Sequence, residues 1–568
     1  MKHVKRFSTI LVALVMMLAL TSTAFAYTIT LTQNADDKGE HTYEAYQLFT
    51  GDLAEIDGKK ILSNVVWGAN VDQSKLGDLA DAINPLRDTT AADYKALTAT
   101  SSAADFADAI SKIKAANDSE DAQKIADAFG AVLKDAPKGT GTDKIEGLDA
   151  GYYLVKDKDD SLAGAEDAAY TRFILEVVSD VTATVKSEVP SVDKKIKDGE
   201  KKLSATSASI GDSIPYEVTS KVPDMTGYNK YFFVLNDTMD KGLTFNNDVA
   251  ITIGSKTLTK DTDFTVETGK DGDKTTVKIV LKNFIQYKDN KGADITVTYS
   301  ATLNEKADLT ATGNANEVKL TYSNNPNHDY SGDSEKPDEP GSKEPTGETP
   351  EVQTKTFTTG IELIKVDAAD NTKTLVGAKF KIEGKGVVVT LINKEVYKED
   401  AKGTYYMLKD GTYTETKPTD DTKDKYDDDE KTYAKVTEVV KDTETEKVAT
   451  EGYVDSNGHL TFTGLNAGTY TITEIKAPKG YNLLKDPITV EIEGTLDDKN
   501  KTCTWSATMN GEDISANADN LFEFKVENKE GSTLPSTGGI GTRIFYALGS
   551  ILVIGAGIIL ISRKRAGK

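Results

Sequence analysis

The chain is poor in cysteine. Cys503 is the only one among 568 residues, so no intramolecular disulfide can form and the fold must be held by other means. Histidine is scarce as well. His3, His41, His328 and His459 are scattered, which argues against a His-built metal site. No Ser-His-Asp order is present and Cys503 has no convincing partner, so the pattern of a hydrolase is missing. Basic charge is in deficit, with 68 Lys and Arg against 91 Asp and Glu and a net charge of −23. The pI near 4.8 describes a surface that repels nucleic acid and anionic membranes and favours solubility outside a cell. No cofactor, metal or nucleic-acid partner is expected.

Long apolar runs stand at the two ends. Lys2, Lys5 and Arg6 precede the stretch Ile10 to Leu20, and Ala24-Phe25-Ala26 offers small residues for cleavage, so residues 1–26 read as a secretory signal. Near the other end, Leu534-Pro535-Ser536-Thr537-Gly538 is followed by an uncharged run, Ile544 to Ile561. That run is just long enough to cross a hydrocarbon core of roughly 30 Å as a helix. Arg563, Lys564, Arg565 and Lys568 come next and should stay cytoplasmic. The order LPxTG, apolar span, basic tail resembles the cell-wall sorting signal of Gram-positive surface proteins. The resemblance implies that a sortase cuts between Thr537 and Gly538 and passes the Thr carbonyl to an amine.

Between these ends the chain reads as mostly β, in tandem sandwich domains of an elongated rod. Residues 27–186 alternate like strands at Thr28 to Leu31, at Leu62 to Trp67, at Gly151 to Val155 and at Phe173 to Val178. Phe106, Ile110 and Ile113, and Ile125, Phe129, Val132 and Leu133, recur at helical spacing, so this domain carries a helical insertion. Residues 187–330 read as an all-β sandwich. Residues 331–353, rich in Pro, Glu, Gly and Ser, read as a solvated linker or an extended connection. A third unit, 354–530, has strand-like edges and a polar middle, about 394–451, expected to be exposed hairpins or loops. Its run Asp427 to Glu430 lacks the spacing of an EF-hand and reads as solvated charge. Residues 531–568 carry the sorting signal.

Strand alternation shows which side chains share a sheet face. In the third unit Ile361 and Leu363 lead in phase to Lys365, Tyr470 and Ile472 lead to Glu474, and Phe524 and Val526 lead to Asn528. Each strand thus brings one polar group to a core position, where an isolated amine, acid or amide is costly. Brought together they can react. Burial lowers an amine pKa and raises a carboxyl pKa. A neutral Lys365 can then attack the Asn528 carboxamide while a protonated Glu474 polarises it and shuttles protons as ammonia leaves.

The segment Gly464-Leu465-Asn466-Ala467-Gly468-Thr469-Tyr470 through Glu474, with Ala477-Pro478-Lys479-Gly480-Tyr481, resembles the E-box of Gram-positive pilins. Lys365-Val366-Asp367 and Asn528 resemble the isopeptide partners of their collagen-adhesin B-type domains. The second unit repeats the anomaly. Val192 leads to Lys194, Phe233 and Leu235 lead to Asp237, and Val318, Leu320 and Tyr322 lead to Asn324. Isopeptide-forming second domains of shaft pilins look like this, with an Asp in the acid's role. The expected bond is Lys194–Asn324 assisted by Asp237, with Lys195, Asn316 and Asn325 as substitutes. In the first unit Ile29 and Leu31 lead to Gln33, which has no amine, so no cross-link is expected there by this route.

Shaft pilins also carry a V-x-x-Y-P-K motif between their first two domains, whose lysine accepts the Thr of the next subunit. Here Val181, Ala183, Val185 and Lys186 stand at that junction without the Tyr-Pro pair, and the resemblance points to Lys186. It implies a non-enzymatic shaft subunit, secreted, wall-anchored and linked Thr537 to Lys186 in a homopolymer that supports adhesion and colonisation. Its partners would be a pilus sortase, identical subunits, minor pilins, peptidoglycan and host surface ligands. The rival readings are a monomeric wall-anchored adhesin and a minor pilin of the base or tip.

Overall fold

The structure is a computed structural model that describes residues 26–531 and Leu548, leaving out 36, 57, 114–118, 164, 186–188, 385–393, 429 and 439–449. It is mostly β. The chain divides into two compact units, one running to Gly360 with Gly464–Ala467 and Ile492–Ser506, the other formed by the remainder from Ile361.

The first unit begins with a domain of two sheets. In one, Tyr27–Thr32 pairs in parallel with Val181–Thr184, so the first and last strands of the domain lie side by side. The other runs Lys59–Trp67, Tyr43–Ile56, Gly151–Asp157, Arg172–Val177. Helices cover it. Ala103–Ser111 opens with a capping box between Ser102 and Asp105, and Glu120–Gly130 opens on the Ser119 side chain. Their apolar faces place Phe106 against Trp67 and Phe129 against Phe49. Both expected helices are present, and a third, Leu76–Ile83, buries Leu76, Leu79, Ala80 and Ile83. Gln33 donates its side-chain amide to the carbonyls of Asp37 and Gly39 in a local turn.

That turn leads to His41, which is sealed between Asp37 and Asp157 at 3.0 and 2.8 Å and stacked on Tyr43. Burial alone would lower the imidazole pKa; the two carboxylates outweigh it and hold the ring protonated up to about pH 9. Asp157 also accepts from the Thr171 amide, and Asp37 from the Gly39 amide. The cluster therefore ties the 37–41 turn to the two strands that flank residues 158–171.

The same unit continues as a sandwich. One sheet orders Lys201–Leu203, Asp193–Asp198, Ser213–Lys221, Asp294–Leu303, Ala250–Ile253 and Lys256–Thr257. The other orders Ala205–Ser207, Val352–Phe357, Asn314–Ser323, Phe233–Met239, Lys274–Leu281 and Phe264–Asp271. Phe233, Leu235, Ile251, Val297, Val318 and Leu320 fill the space between them. Residues 331–353 are not a solvated linker. Thr346–Glu348 and Val352–Phe357 both pair with Asn314–Ser323. The polar residues before them bond to the sandwich, Lys336 to Glu267, Glu339 to Lys278 and Asp338 to the Asn283 amide. A composition that suits water here suits a sheet edge rich in lysine and free amides equally well.

The second unit carries a three-stranded sheet ordered His459–Leu465, Thr359–Asp367, Leu521–Asn528. A larger sheet contains Thr450–Tyr453, Lys379–Glu383 and Gly468–Lys476. The polar middle forms hairpins, Lys394–Glu399 with Tyr433–Glu438 and Tyr406–Met407 with Tyr413–Thr414. Tyr397 and Tyr413 stack at 4.2 Å between them. Among the described residues no group of His, Cys, Asp or Glu could hold a metal ion. No described helix is long and apolar enough to cross a membrane, and the expected span 544–561 lies outside the described residues apart from Leu548.

The His41 cluster has a pH signature. A folded-state pKa raised from about 6.5 contributes stability that is full below 6.5 and lost as pH rises through about 9. Hydrogen exchange at the Gly39 and Thr171 amides should quicken by more than the intrinsic base-catalysed rate across that window. In His41→Gln the extra pH dependence should vanish.

Candidate functional site: two buried lysine, acid and asparagine clusters

The sandwich of the first unit brings Lys194 to its core from one sheet and Asp237 and Asn316 from the other. All three are buried, Lys194 and Asn316 completely. Lys194 Nζ donates to Asp237 Oδ2 and to Asn316 Oδ1, each at 2.5 Å. Tyr216 and Tyr299, a cross-strand pair stacked at 5.4 Å, wall the cluster, with Nζ 5.3 and 5.5 Å from their ring centres. The Tyr299 hydroxyl donates to Asp237 Oδ2 and accepts from Asn316 Nδ2 at 3.2 Å. Burial pushes the Lys194 amine down to about 8 against the pull of Asp237. Burial also raises the Asp237 carboxyl. Both shifts move the pair toward the neutral forms that amide exchange needs.

The expected partner Asn324 is not there. It is buried near the far end of the strand, where Nδ2 donates to the Ala168 carbonyl at 3.4 Å. Register decides between the two asparagines. Both share the phase of Val318, Leu320 and Tyr322, but the neighbouring strand is antiparallel, pairing Phe233 with Tyr322, Asp237 with Val318 and Met239 with Asn316. An acid late in one strand faces the beginning of an antiparallel neighbour, so Asn316 meets Asp237 while Asn324 lies beyond Phe233. The position of Asp237 in its strand was the signal that would have selected Asn316. Lys195, the neighbour of Lys194, turns away to the Ser204 hydroxyl at 3.0 Å. Asn325 donates its backbone amide to Tyr330.

In the second unit Lys365, Glu474 and Asn528 are buried together, at 0, 3 and 1% exposure. Lys365 Nζ donates to the Val526 carbonyl at 2.6 Å, two residues before Asn528. Asn528 Nδ2 donates to both Glu474 oxygens, at 2.9 and 3.0 Å, and the Leu484 amide donates to Oε2 at 2.8 Å. The Ala368 amide bonds the Asn528 carbonyl, so the ends of the two strands meet. Burial lowers the Lys365 amine to about 8, opposed chiefly by the charge of Glu474. Asn528 Oδ1 is buried with no hydrogen bond among the described residues. Rotating this amide would set Oδ1 against the Glu474 carboxyl group.

Lys186 and the motif Leu534, Pro535, Ser536, Thr537 and Gly538 lie outside the described residues.

Family models agree with this layout. Residues 210–326 match the Gram-positive pilin backbone subunit 2, Cna-B-like domain, residues 419–508 match a prealbumin-like fold domain, and residues 526–566 match the LPXTG cell wall anchor motif. The domains and anchor so matched are those of a Gram-positive backbone pilin. The trypsin-resistant surface T6 protein of Streptococcus pyogenes serotype M6 is 28% identical over 445 residues, 68% of this chain and 71% of that protein. Among solved structures, the T6 backbone pilin of the same serotype is 16% identical at a TM-score of 0.47, covering 89% of this chain and 98% of that one. The full-length major pilin SpaD of Corynebacterium diphtheriae is 17% identical at a TM-score of 0.42, covering 89% and 97%. The backbone-domain and LPXTG-anchor matches support a structural subunit of a pilus shaft, a sortase substrate anchored at the cell wall.

The two asparagines of the first unit separate in one experiment. Asn316→Ala should remove a mass deficit of about 17 Da, the loss of one ammonia, from the intact mature chain, and Asn324→Ala should keep it. The opposite result would restore the pairing expected from alternation alone.

Proposed function

We propose that the pilin closes both clusters itself, forming amide bonds Lys194–Asn316 and Lys365–Asn528, and is otherwise not an enzyme. The observation that carries this reading is the burial of an amine, an acid and a carboxamide together in each of two cores that contain no disulfide. As charged groups they are costly to bury; as an amide and released ammonia they are not. Asp237 and Glu474 act once per molecule, as proton carriers. Lys194–Asn316 closes a loop spanning 122 residues. By the chain-entropy relation used for disulfides, such a closure adds on the order of 5 kcal/mol. Lys365–Asn528 joins the first strand of the three-stranded sheet to the last and cannot be undone by reductants.

In the polymer, Thr537 of one subunit is joined by the sortase to Lys186 of the next. The resulting shaft takes minor pilins at its ends and presents host-directed surfaces. A monomeric wall-anchored adhesin would need the same cross-links and the same sorting signal but no acceptor lysine.

The mature chain should weigh about 34 Da less than its sequence, two ammonia molecules, and Glu474→Ala about 17 Da less. A wild-type mass equal to the sequence mass would end the cross-link reading. Bond formation should accelerate as pH rises through about 8, where Lys365 loses its proton. Lys186→Ala in the native host should abolish the high-mass ladder on denaturing gels and leave both mass deficits in place. A ladder that survives would move the acceptor to another lysine.

A further inference from the structure

The two clusters differ in how the acid reaches the departing nitrogen. In the second unit Glu474 contacts Asn528 Nδ2 directly, through both oxygens. In the first unit the acid is one methylene shorter, and Asp237 makes no hydrogen bond to Asn316 Nδ2 among the described residues. Tyr299 fills the gap, with its hydroxyl bonded to Asp237 Oδ2 on one side and to Asn316 Nδ2 on the other. The phenol is buried and stacked on Tyr216. It projects from Asp294–Leu303, a strand that carries none of Lys194, Asp237 and Asn316.

We propose that Tyr299 is a catalytic residue of the Lys194–Asn316 condensation, carrying a proton from Asp237 to the amide nitrogen that leaves. The inference rests on the cross-link reading above. Neutral Lys194 Nζ attacks Asn316 Cγ, forming the new C–N bond and placing negative charge on Oδ1. The attacking nitrogen gives up a proton to Asp237 Oδ2 as Asp237 passes its own proton toward Tyr299. The Tyr299 hydroxyl delivers its proton to Nδ2 and is reprotonated by Asp237. The Cγ–Nδ2 bond breaks, and the carbonyl re-forms as ammonia departs. One amine and one primary amide enter, one secondary amide and one ammonia leave, and Tyr299 and Asp237 end as they began.

Without the phenol, the leaving nitrogen must find its proton in solvent, which has little access to a closed core and fewer protons as pH rises. A mere packing role for the ring would give a different result. Tyr299→Phe keeps the ring and its stack and removes only the relay.

The test uses the full mature chain, sampled at intervals after pulse synthesis and digested, with the Lys194–Asn316 and Lys365–Asn528 linked peptides quantified by mass spectrometry. Tyr299→Phe should slow the first linkage at least tenfold and leave the second unchanged, and the deficit relative to wild type should widen from pH 6 to pH 9. Formation at the wild-type rate, or a deficit of the same size at every pH, overturns the relay. Absence of the first linked peptide from the wild type overturns the cross-link itself and is thereby told apart. If Tyr299→Phe does not fold, a proton inventory on the wild type in mixed H2O and D2O decides. Two protons moving in step give a curved plot, and a linear one refutes the relay.

Discussion

An amine buried beside a carboxamide and an acid is the condition on which each sandwich depends. Burial works against charge, and in both clusters it brings the lysine to about 8, well below its ordinary value. Before reaction, that burial is a liability. A lysine in a core without a satisfied partner costs several kcal/mol, and even a paired one often stabilises less than an apolar side chain would. The proposed reaction would convert the liability into a neutral, covalent connection. Folding comes first, because only the packed core assembles the three groups, and bond formation then makes the fold difficult to reverse.

The two clusters solve one problem with different parts. In the second unit a long acid spans the amide, and the Leu484 amide fixes one of its oxygens. In the first, a short acid sits under a tyrosine pair, and the lysine lies over both rings. Aromatic faces favour the ammonium form, which opposes the neutral amine that attack requires. Lys194 is wholly buried, and that desolvation brings its amine down to about 8 against the opposing charge of Asp237.

Much of this was legible before any coordinates. Period-2 alternation placed Lys365, Glu474 and Asn528 on inward faces, because a strand that buries two residues in phase buries the third at the same depth. It located Lys194 and Asp237 for the same reason. It could not choose between Asn316 and Asn324, since both lie in phase on one strand and phase carries no information about register. Register is a property of two strands, fixed by the pairing of Asp237 with Val318. Tyr299 was hidden for a similar reason, being an ordinary apolar-face residue of its own strand until Lys194 and Asn316 are packed against it. Composition left residues 331–353 open between a solvated linker and an extended connection, because it does not show that Glu339 and Asp338 bond to Lys278 and the Asn283 amide of the sandwich.

For a fibre subunit, where a bond is placed matters more than how strong it is. With the proposed Thr537-to-Lys186 linkage, tension would enter the pilin at the junction after its first domain and leave near Thr537. A hydrogen-bonded sandwich yields when its terminal strands peel away, one ladder at a time. Lys194 sits on the second strand in from its sheet edge and Asn316 on an inner strand of the opposite sheet. A bond between them spans the core itself, so neither sheet can shear past the other without breaking a covalent bond. The proposed Lys365–Asn528 bond would tie adjacent strands from the beginning and end of its unit, so load arriving at Asn528 would pass directly to Lys365. The hairpins Lys394–Glu399 with Tyr433–Glu438 and Tyr406–Met407 with Tyr413–Thr414 would then carry none of that load.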